Sequence, residues 1–540
     1  MTKFVLCSTM IPLPPPHVFL TVVIIFLFLA FGKKKRRSTN KDSISELPPG
    51  PKRLPIIGSL LQMRGASPHQ ALNNLAMRHG PIMSLQLGEI LAIVITSPKA
   101  VMEILKIHEP AFAQRPRLGV VESLSYEYSS FTFSPYGEYW RQMRKICVLE
   151  FLSTKRVMSF RSIREQEVWN MIKAIGDFDE KPFNLSDLML SVINKVIARA
   201  LLGDRCKYQE EFISLMKEVM LLSGVLEFPD LFPSMKFLQY TSRVKLARER
   251  LHHKIDVILN YIIEDHKAKL ESVINNENKP PAGGDLVDML LHLQKTSDLK
   301  FYITMEVIKN VTMKEPLSER AQTLSMTQEL FSVGTESSSI VLEWAMSEML
   351  RNPRVMQKAQ LEIRDHLNGK SLVKESDIES LGYLKAVVKE TLRLHPPIPL
   401  VPREARERCK IMGYDIPSKA NIIINAWALG RDAENWINPE EFLPERFLES
   451  SVDFKGNSFH YIPFGNGRRI CPGINYAIAG IELLLAQLLY HFDWGLGDGK
   501  KLPYVLDMEE TFTITLRRKN PLVMIAKSRI KFADEGTLPA

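Results

Sequence analysis

The sequence predicts a mainly α architecture with small β-sheets, an α+β fold in one large domain behind an N-terminal membrane anchor helix. Three observations lead there. From Tyr139 to about Arg393 the apolar residues recur chiefly at the 3.6-residue period of a helix. Ahead of that stretch, two alternating or apolar runs separated at Gly88-Glu89 have strand length. At the N-terminus, Val18–Gly32 is apolar apart from Thr21 and runs into five cations, Lys33–Arg37. A chain of 540 residues, 45% hydrophobic and 24% charged, has the balance of a globular protein with a large core.

Taken in order, Val18–Gly32 is short for a spanning helix, which needs roughly 17–25 residues, but its flanks can lengthen it. Cations follow at once, with no small-residue cleavage site between, so it reads as an uncleaved anchor. The positive-inside rule then places everything after Lys33 in the cytosol. Residues 1–37 are expected to be the anchor and its basic stop, 38–60 a proline-rich hinge, and 61–540 the catalytic domain. Within the hinge, Glu46–Gly58 holds four prolines and two glycines and should be a stiff spacer between membrane and body. Next comes the hairpin, then a helix capped by Ser97 with Pro98 in its first turn. Helices are expected around Trp140–Phe151, Leu188–Leu202, Arg243–Lys269, Glu329–Leu350 and Pro353–Leu367. Asn275–Asp285 reads as a surface loop.

Five cysteines without CxxC spacing argue against a disulfide framework and a zinc cluster, and favour a reducing compartment. The net charge of +9 is partly the Lys33–Arg37 cluster. No zinc-finger spacing or RNA-binding aromatic motif accompanies it, so nucleic acid is not expected as a partner.

The chemistry concentrates at Cys471. A cysteine that ligates a haem must be kept anionic by the metal, by hydrogen-bond donors and by the positive end of a helix. An apolar helical run begins three residues later, and Arg468 and Arg469 add positive charge. Gly467 and Gly473 permit a tight turn and a close approach to a flat macrocycle, and Phe464 can cover its proximal face. The neighbouring GNGRRI lacks both the third glycine of a dinucleotide fingerprint and the lysine-hydroxyl ending of a phosphate loop.

Phe464, Gly467, Arg469, Cys471 and Gly473 resemble the Phe-x-x-Gly-x-Arg-x-Cys-x-Gly signature of the cytochrome P450 haem-thiolate monooxygenases. Judged by motif order, the resemblance runs from Leu47 to the C-terminus. It implies the cytochrome P450 fold, with haem b as cofactor and Cys471 as its axial thiolate. It also implies a buried structural triad of Glu390 and Arg393 from KETLRLHPP with Arg446 from PERF. Trp140 and Arg144, four apart in YWRQMRK, look like the family's clamp on the haem propionates, shared with Arg469 and Arg403. On the distal side the family's acid and alcohol correspond to Glu336 and Ser337, which would deliver protons to bound dioxygen. Val333-Gly334-Thr335-Glu336-Ser337 departs from the pattern by placing serine where the family has threonine, which loses the methyl that stiffens χ1. Gly334 is expected where the helix opens beside oxygen. A second departure is an insertion, Lys314–Gln328, with Pro316 breaking the helix and the following residues extending the downstream helix backwards. Fifteen residues make roughly 22 Å of helix.

No flavin or nicotinamide module is visible, so an NADPH–cytochrome reductase is the expected electron donor, at the endoplasmic reticulum membrane. Family analogy puts substrate contacts at Pro116–Phe133, Leu221–Ser234, Val333, Pro396–Pro402 and Glu510–Leu516. These stretches are largely apolar and imply a lipophilic substrate. The hinge and two further stretches are similar to the plant microsomal branch, which points to hydroxylation of a specialised metabolite, a terpenoid. The alternatives are a haem-thiolate isomerase or dehydratase acting on peroxides, and a non-catalytic haem-binding membrane protein.

Overall fold

In the computed structural model the chain is described at residues 46–124, 130–204, 206–223, 228–235, 237, 242–274, 284–295, 319–367, 369–370, 373–496 and 506–529. The anchor Val18–Gly32, the basic stop and residues 314–318 of the insertion lie outside these residues. Among the described residues no helix is long and apolar enough to cross a membrane.

The hairpin forms as its sequence predicts, from β1 (Ile82–Leu87) and β2 (Ile90–Ile95), paired antiparallel with Leu87 opposite Ile90. Chain order then gives β3 (Phe183–Asn184), β4 (Leu400–Glu404), β5 (Cys409–Ile411), β6 (Tyr414–Ile416), β7 (Asn421–Asn425), β8 (Phe492–Leu496), β9 (Glu510–Phe512), β10 (Leu516–Arg518) and β11 (Val523–Ser528). A four-stranded sheet runs β1-β2-β7-β4, with β2 and β7 parallel, and a three-stranded one runs β3-β11-β8. The pairs β5–β6 and β9–β10 complete the set.

Helices supply the bulk of the domain. They are α1 (Pro68–His79), α2 (Pro98–Met102), α3 (Glu138–Ile146), α4 (Arg161–Gly176), α5 (Leu185–Leu202) and α6 (Gln209–Ser223). Then follow α7 (Arg243–Ile274), α8 (Leu286–Lys295), α9 (Glu319–Arg351), α10 (Pro353–His366), α11 (Gly382–Leu394) and α12 (Ile474–His491). Ser97 caps α2 by accepting from the Ala100 amide, with Pro98 in the first turn. The expected helix at Trp140–Phe151 widens in its second half: α3 ends at Ile146 and a π-type turn, Cys147–Phe151, continues it. The downstream part of the insertion forms turns of α9, which is described from Glu319. Leu324 and Met326 from those turns are buried in the main core.

That core is built from α3–α12 and contains Trp344's neighbours Leu342, Ala345 and Met346 on α9 and Leu483–Leu485 on α12. The central helix α9 packs against α5, α11 and α12, so any group on its inner face is held by several helices at once. Smaller clusters lie on the two faces of the four-stranded sheet.

In its described part the proline-rich stretch lies as a strap against the body. The Ser84 amide and hydroxyl donate to the carbonyls of Pro49 and Pro48, each at 2.8 Å, and the Asp415 amide donates to Glu46 at 3.0 Å. Prolines lack the donor but keep the carbonyl, so at Pro48 and Pro49 the segment covers the outer edge of β1 by accepting, while further along the Ser59 amide donates to the Gln86 carbonyl at 2.5 Å.

Candidate active site

The cysteine loop is shaped by two residues in the left-handed region. Gly465 and Gly467 both have φ +70°, and a Cβ at Gly467 would stand 2.8 Å from the Leu105 carbonyl oxygen. Asn466 between them accepts from the Gly467 amide at 2.6 Å and donates to Gly456 at 2.9 Å. The turn returns the Cys471 amide to the Phe464 carbonyl at 2.9 Å. Phe464 packs edge-on against Phe454, ring centroids 5.1 Å apart. Gly473 caps α12 with an ordinary φ of −91°, so its place rests on its amide, which faces the sulfur, and not on backbone strain. Burial pushes the Cys471 thiol up, while the Gly473 amide and the Arg144 guanidinium favour the thiolate.

Beside the loop, cations gather. Arg144 on α3 donates to the Ile470 carbonyl at 2.6 Å. Arg469 donates to the carbonyls of Ala113 at 2.9 Å and Ser134 at 2.7 Å, and lies 4.3 Å over the buried Trp140 ring. Arg403 on β4 is 1% exposed and reaches the Asn466 carbonyl at 3.4 Å. Sequence reasoning missed a fourth, Arg115, which donates to the Pro402 carbonyl at 2.6 Å and leaves its buried Nε without a partner. Burial holds these groups low, with repulsion from neighbouring guanidiniums added at Arg469 and Arg403: Arg469 falls to about 9, Arg115 to about 10 against the pull of Glu329, and Arg403 lies well below the ordinary value. Among the described residues none of the four makes an ion pair with a carboxylate. Glu329 of α9, also missed, approaches but accepts instead from Ser130 Oγ at 2.8 Å and the amides of Phe131 and Thr132 at 2.9 and 2.8 Å. Four crowded cations without counter-charges suit a partner carrying two anionic groups.

Behind the loop, Glu390 and Arg393 on α11 form a two-point pair at 2.7 and 2.8 Å, and Arg446 Nε joins Glu390 at 3.0 Å. The structure therefore brings all three expected residues together. Arg393 also donates to the carbonyls of Pro439 at 2.6 Å and Glu441 at 3.0 Å, which fastens the loop leading to the cysteine.

On the other side, Val333 and Ser337 lie one turn apart on α9, and the Ser337 hydroxyl donates back to the Val333 carbonyl at 2.8 Å. Val333 is 43% exposed. Glu336 is buried and accepts from the Thr515 hydroxyl at 2.8 Å. Burial pushes its carboxyl up, against the Thr515 bond and the Arg517 charge. The expected opening of the helix at Gly334 is not found. α9 is continuous there, and a Cβ would meet Ile197 Cδ1 of α5 at 3.0 Å, so the glycine serves helix packing.

A cysteine at the positive end of a helix, beside a cage of unpaired guanidiniums, defines a thiolate site for an anionic prosthetic group. The family model for cytochrome P450 matches residues 48–523. The chain is 47% identical over 97% of its length to 98% of a melianol synthase of Ailanthus altissima. It is 46% identical over 94% of its length to 98% of the premnaspirodiene oxygenase of Hyoscyamus muticus. For the tabersonine 16-hydroxylase 1 of Catharanthus roseus the identity is 45%, covering 92% of this chain and 97% of the relative. A zebrafish cytochrome P450 solved with abiraterone superposes with a TM-score of 0.69 at 21% identity, covering 86% of this chain and all of the other.

The chain belongs to the cytochrome P450 family. It is a monooxygenase that carries haem b on a cysteine thiolate. The residues fit that group: the guanidinium cage, including the partnerless Arg115 Nε, matches two propionates, and the sulfur stands at the helix end that favours its anion.

Proposed function

We propose that the enzyme hydroxylates a lipophilic terpenoid, with Cys471 as the axial ligand and electrons from an NADPH–cytochrome reductase at the endoplasmic reticulum membrane. One observation carries the substrate class. Val333, Ile398 and Ile514 are apolar yet 43%, 37% and 37% exposed. They come from three of the stretches expected to touch substrate, and two hydrogen bonds tie those stretches together. Thr515 donates to Glu336 at 2.8 Å, and the Leu516 amide donates to Pro397 at 2.9 Å. With the stretches joined in this way, the three apolar side chains would offer a ligand lipophilic surface. The names of the melianol synthase and premnaspirodiene oxygenase relatives support a terpenoid.

When bound, the haem would supply the dioxygen activation that hydroxylation of a C–H bond requires, the reductase providing the two electrons and the second oxygen atom leaving as water. The protein's part is holding and proton handling. Arg115, Arg144, Arg403 and Arg469 bind the propionates, and Trp140 under Arg469 fixes the angle of that guanidinium. Glu390, Arg393 and Arg446 keep the approach to the cysteine loop rigid. Glu336 holds a proton within the distal wall, made easier by burial, and Ser337 offers the neighbouring hydroxyl.

The test is turnover of terpene panels by microsomes that contain the enzyme and a plant reductase. Dioxygen- and NADPH-dependent products bearing a new hydroxyl are expected from sesqui- or larger terpenes. Turnover confined to polar phenolic substrates, or product formation from peroxides without NADPH, overturns the proposal.

A further inference from the structure

The hairpin β9–β10 reaches α9 from the far end of the chain. Its turn, Thr513–Thr515, is braced on three sides. The Thr513 amide donates to the Thr515 carbonyl at 2.9 Å, and the Leu516 amide to Pro397 at 2.9 Å. Two turns along α9 from Glu336, Trp344 Nε1 donates to the Leu516 carbonyl at 3.3 Å. The Thr515 hydroxyl is therefore a preorganised donor when it meets Glu336 at 2.8 Å, across 179 positions of sequence. Thr513 Oγ1 lies 3.2 Å from Thr515 Oγ1 and accepts from the Thr515 amide at 3.4 Å. A hydroxyl has one proton. If Thr515 gives its proton to the Glu336 carboxylate, a bond between the two hydroxyls can run only from Thr513 to Thr515, in competition with the Thr515 carbonyl 3.4 Å from the Thr513 hydroxyl. When Glu336 is protonated, the same oxygen of Thr515 can accept.

We infer that Thr515 is a positioning residue for Glu336, and that the hydroxyl pair Thr513–Thr515 orients the acid in both protonation states from the C-terminal hairpin. The inference rests on Glu336 being the distal proton-holding acid. The role assigned to Thr515 is exerted through Glu336, by fixing which way the carboxyl group points and how readily it ionises. Among the described residues the charged group acting on this carboxyl is Arg517, two positions on from Thr515 in β10, and its attraction also favours the ionised form. Loss of the hydroxyl leaves burial opposed by Arg517 alone, so the carboxyl should protonate more readily.

The experiment uses reduced, carbon-monoxide-bound holoenzyme, in which infrared titration follows the protonated carboxyl band that Glu336→Gln abolishes. Thr515→Val is expected to favour the protonated form by about tenfold or more, the scale of one hydrogen bond to a charged group. Thr515→Ser should restore the wild-type titration, and Thr513→Val should move it less, in the same direction. With reductase, NADPH and dioxygen, Thr515→Val should also release more hydrogen peroxide per NADPH, and Thr515→Ser should reverse this. An unmoved band in Thr515→Val overturns the inference. A moved band with Glu336→Gln leaving peroxide release at the wild-type level instead removes the proton role of Glu336 and leaves the positioning contact standing. Should Thr515→Val lose haem, Thr515→Ala, which adds no bulk, carries the same titration.

Discussion

Glu390→Gln tests the support behind the cysteine loop with almost no change of shape. The Glu390 carboxylate is fully buried and takes four donors: Arg393 at 2.7 and 2.8 Å, Arg446 at 3.0 Å and the Leu443 amide at 2.8 Å. Glutamine keeps the volume but removes the charge and turns one acceptor into a donor. It would leave the Arg393 guanidinium, 1% exposed, without a counter-charge, and its NH2 would face an arginine donor. Removing one partner of a buried pair costs about 3–5 kcal/mol. That is roughly a hundred- to several-thousand-fold in the unfolding equilibrium. The assay is urea unfolding followed by the haem absorbance, with Glu138→Gln as control. Glu138 pairs with Arg141 at 2.7 Å, but both side chains are largely exposed, so under about 1 kcal/mol is expected there. If Glu390→Gln destabilises no more than Glu138→Gln, the triad does not carry the loop.

Other outcomes follow from the same geometry. Cys471→Ala should abolish the red-shifted Soret band of the reduced carbon monoxide complex, because no anionic sulfur would then stand opposite the gas. Arg115→Gln should release haem to apomyoglobin about tenfold faster or more, because a charge-assisted bond worth about 1.5–3 kcal/mol is lost; an unchanged rate would place Arg115 outside the propionate cage. Gly467→Ala should cost about 1–3 kcal/mol, since its φ of +70° and the Leu105 carbonyl at 2.8 Å oppose a methyl group. Gly65→Ala, with φ +87° but nothing within 4 Å, should cost less. Acid sensitivity should involve Glu510. Burial pushes its carboxyl up, but His395 and His69 together hold it down at about 2, below the ordinary 4.5. The charged form therefore stabilises the fold above about pH 4.5, and that contribution disappears as pH falls towards 2. Glu510→Gln should flatten the stability profile across that window, as read by urea midpoints.

What was legible in the sequence was local. The hairpin at Gly88-Glu89, the Ser97 cap and the helical run of α9 follow from turn chemistry, capping and apolar periodicity acting over a few residues. Glu390 and Arg393 face each other because three positions on a helix make neighbours. Arg115 and Glu329 left no such mark, because neither periodicity nor composition distinguishes them. Their partners lie about two hundred positions away or more: Pro402 for Arg115, and Ser130–Thr132 for Glu329. Gly334 was misread for a related reason. A missing side chain predicts room, but only packing tells what occupies that room.

Short-range pattern alone thus specifies the thiolate ligand, the helical body and the charged pair beneath it, since each is encoded within one turn or one helix. Assembly of the cation cage, the joined apolar stretches and the Thr515 contact with Glu336 depends on chain segments brought together from distant positions. Those contacts form only when burial of the common core makes up for the entropy of closing long loops, so no stretch of residues read alone contains them.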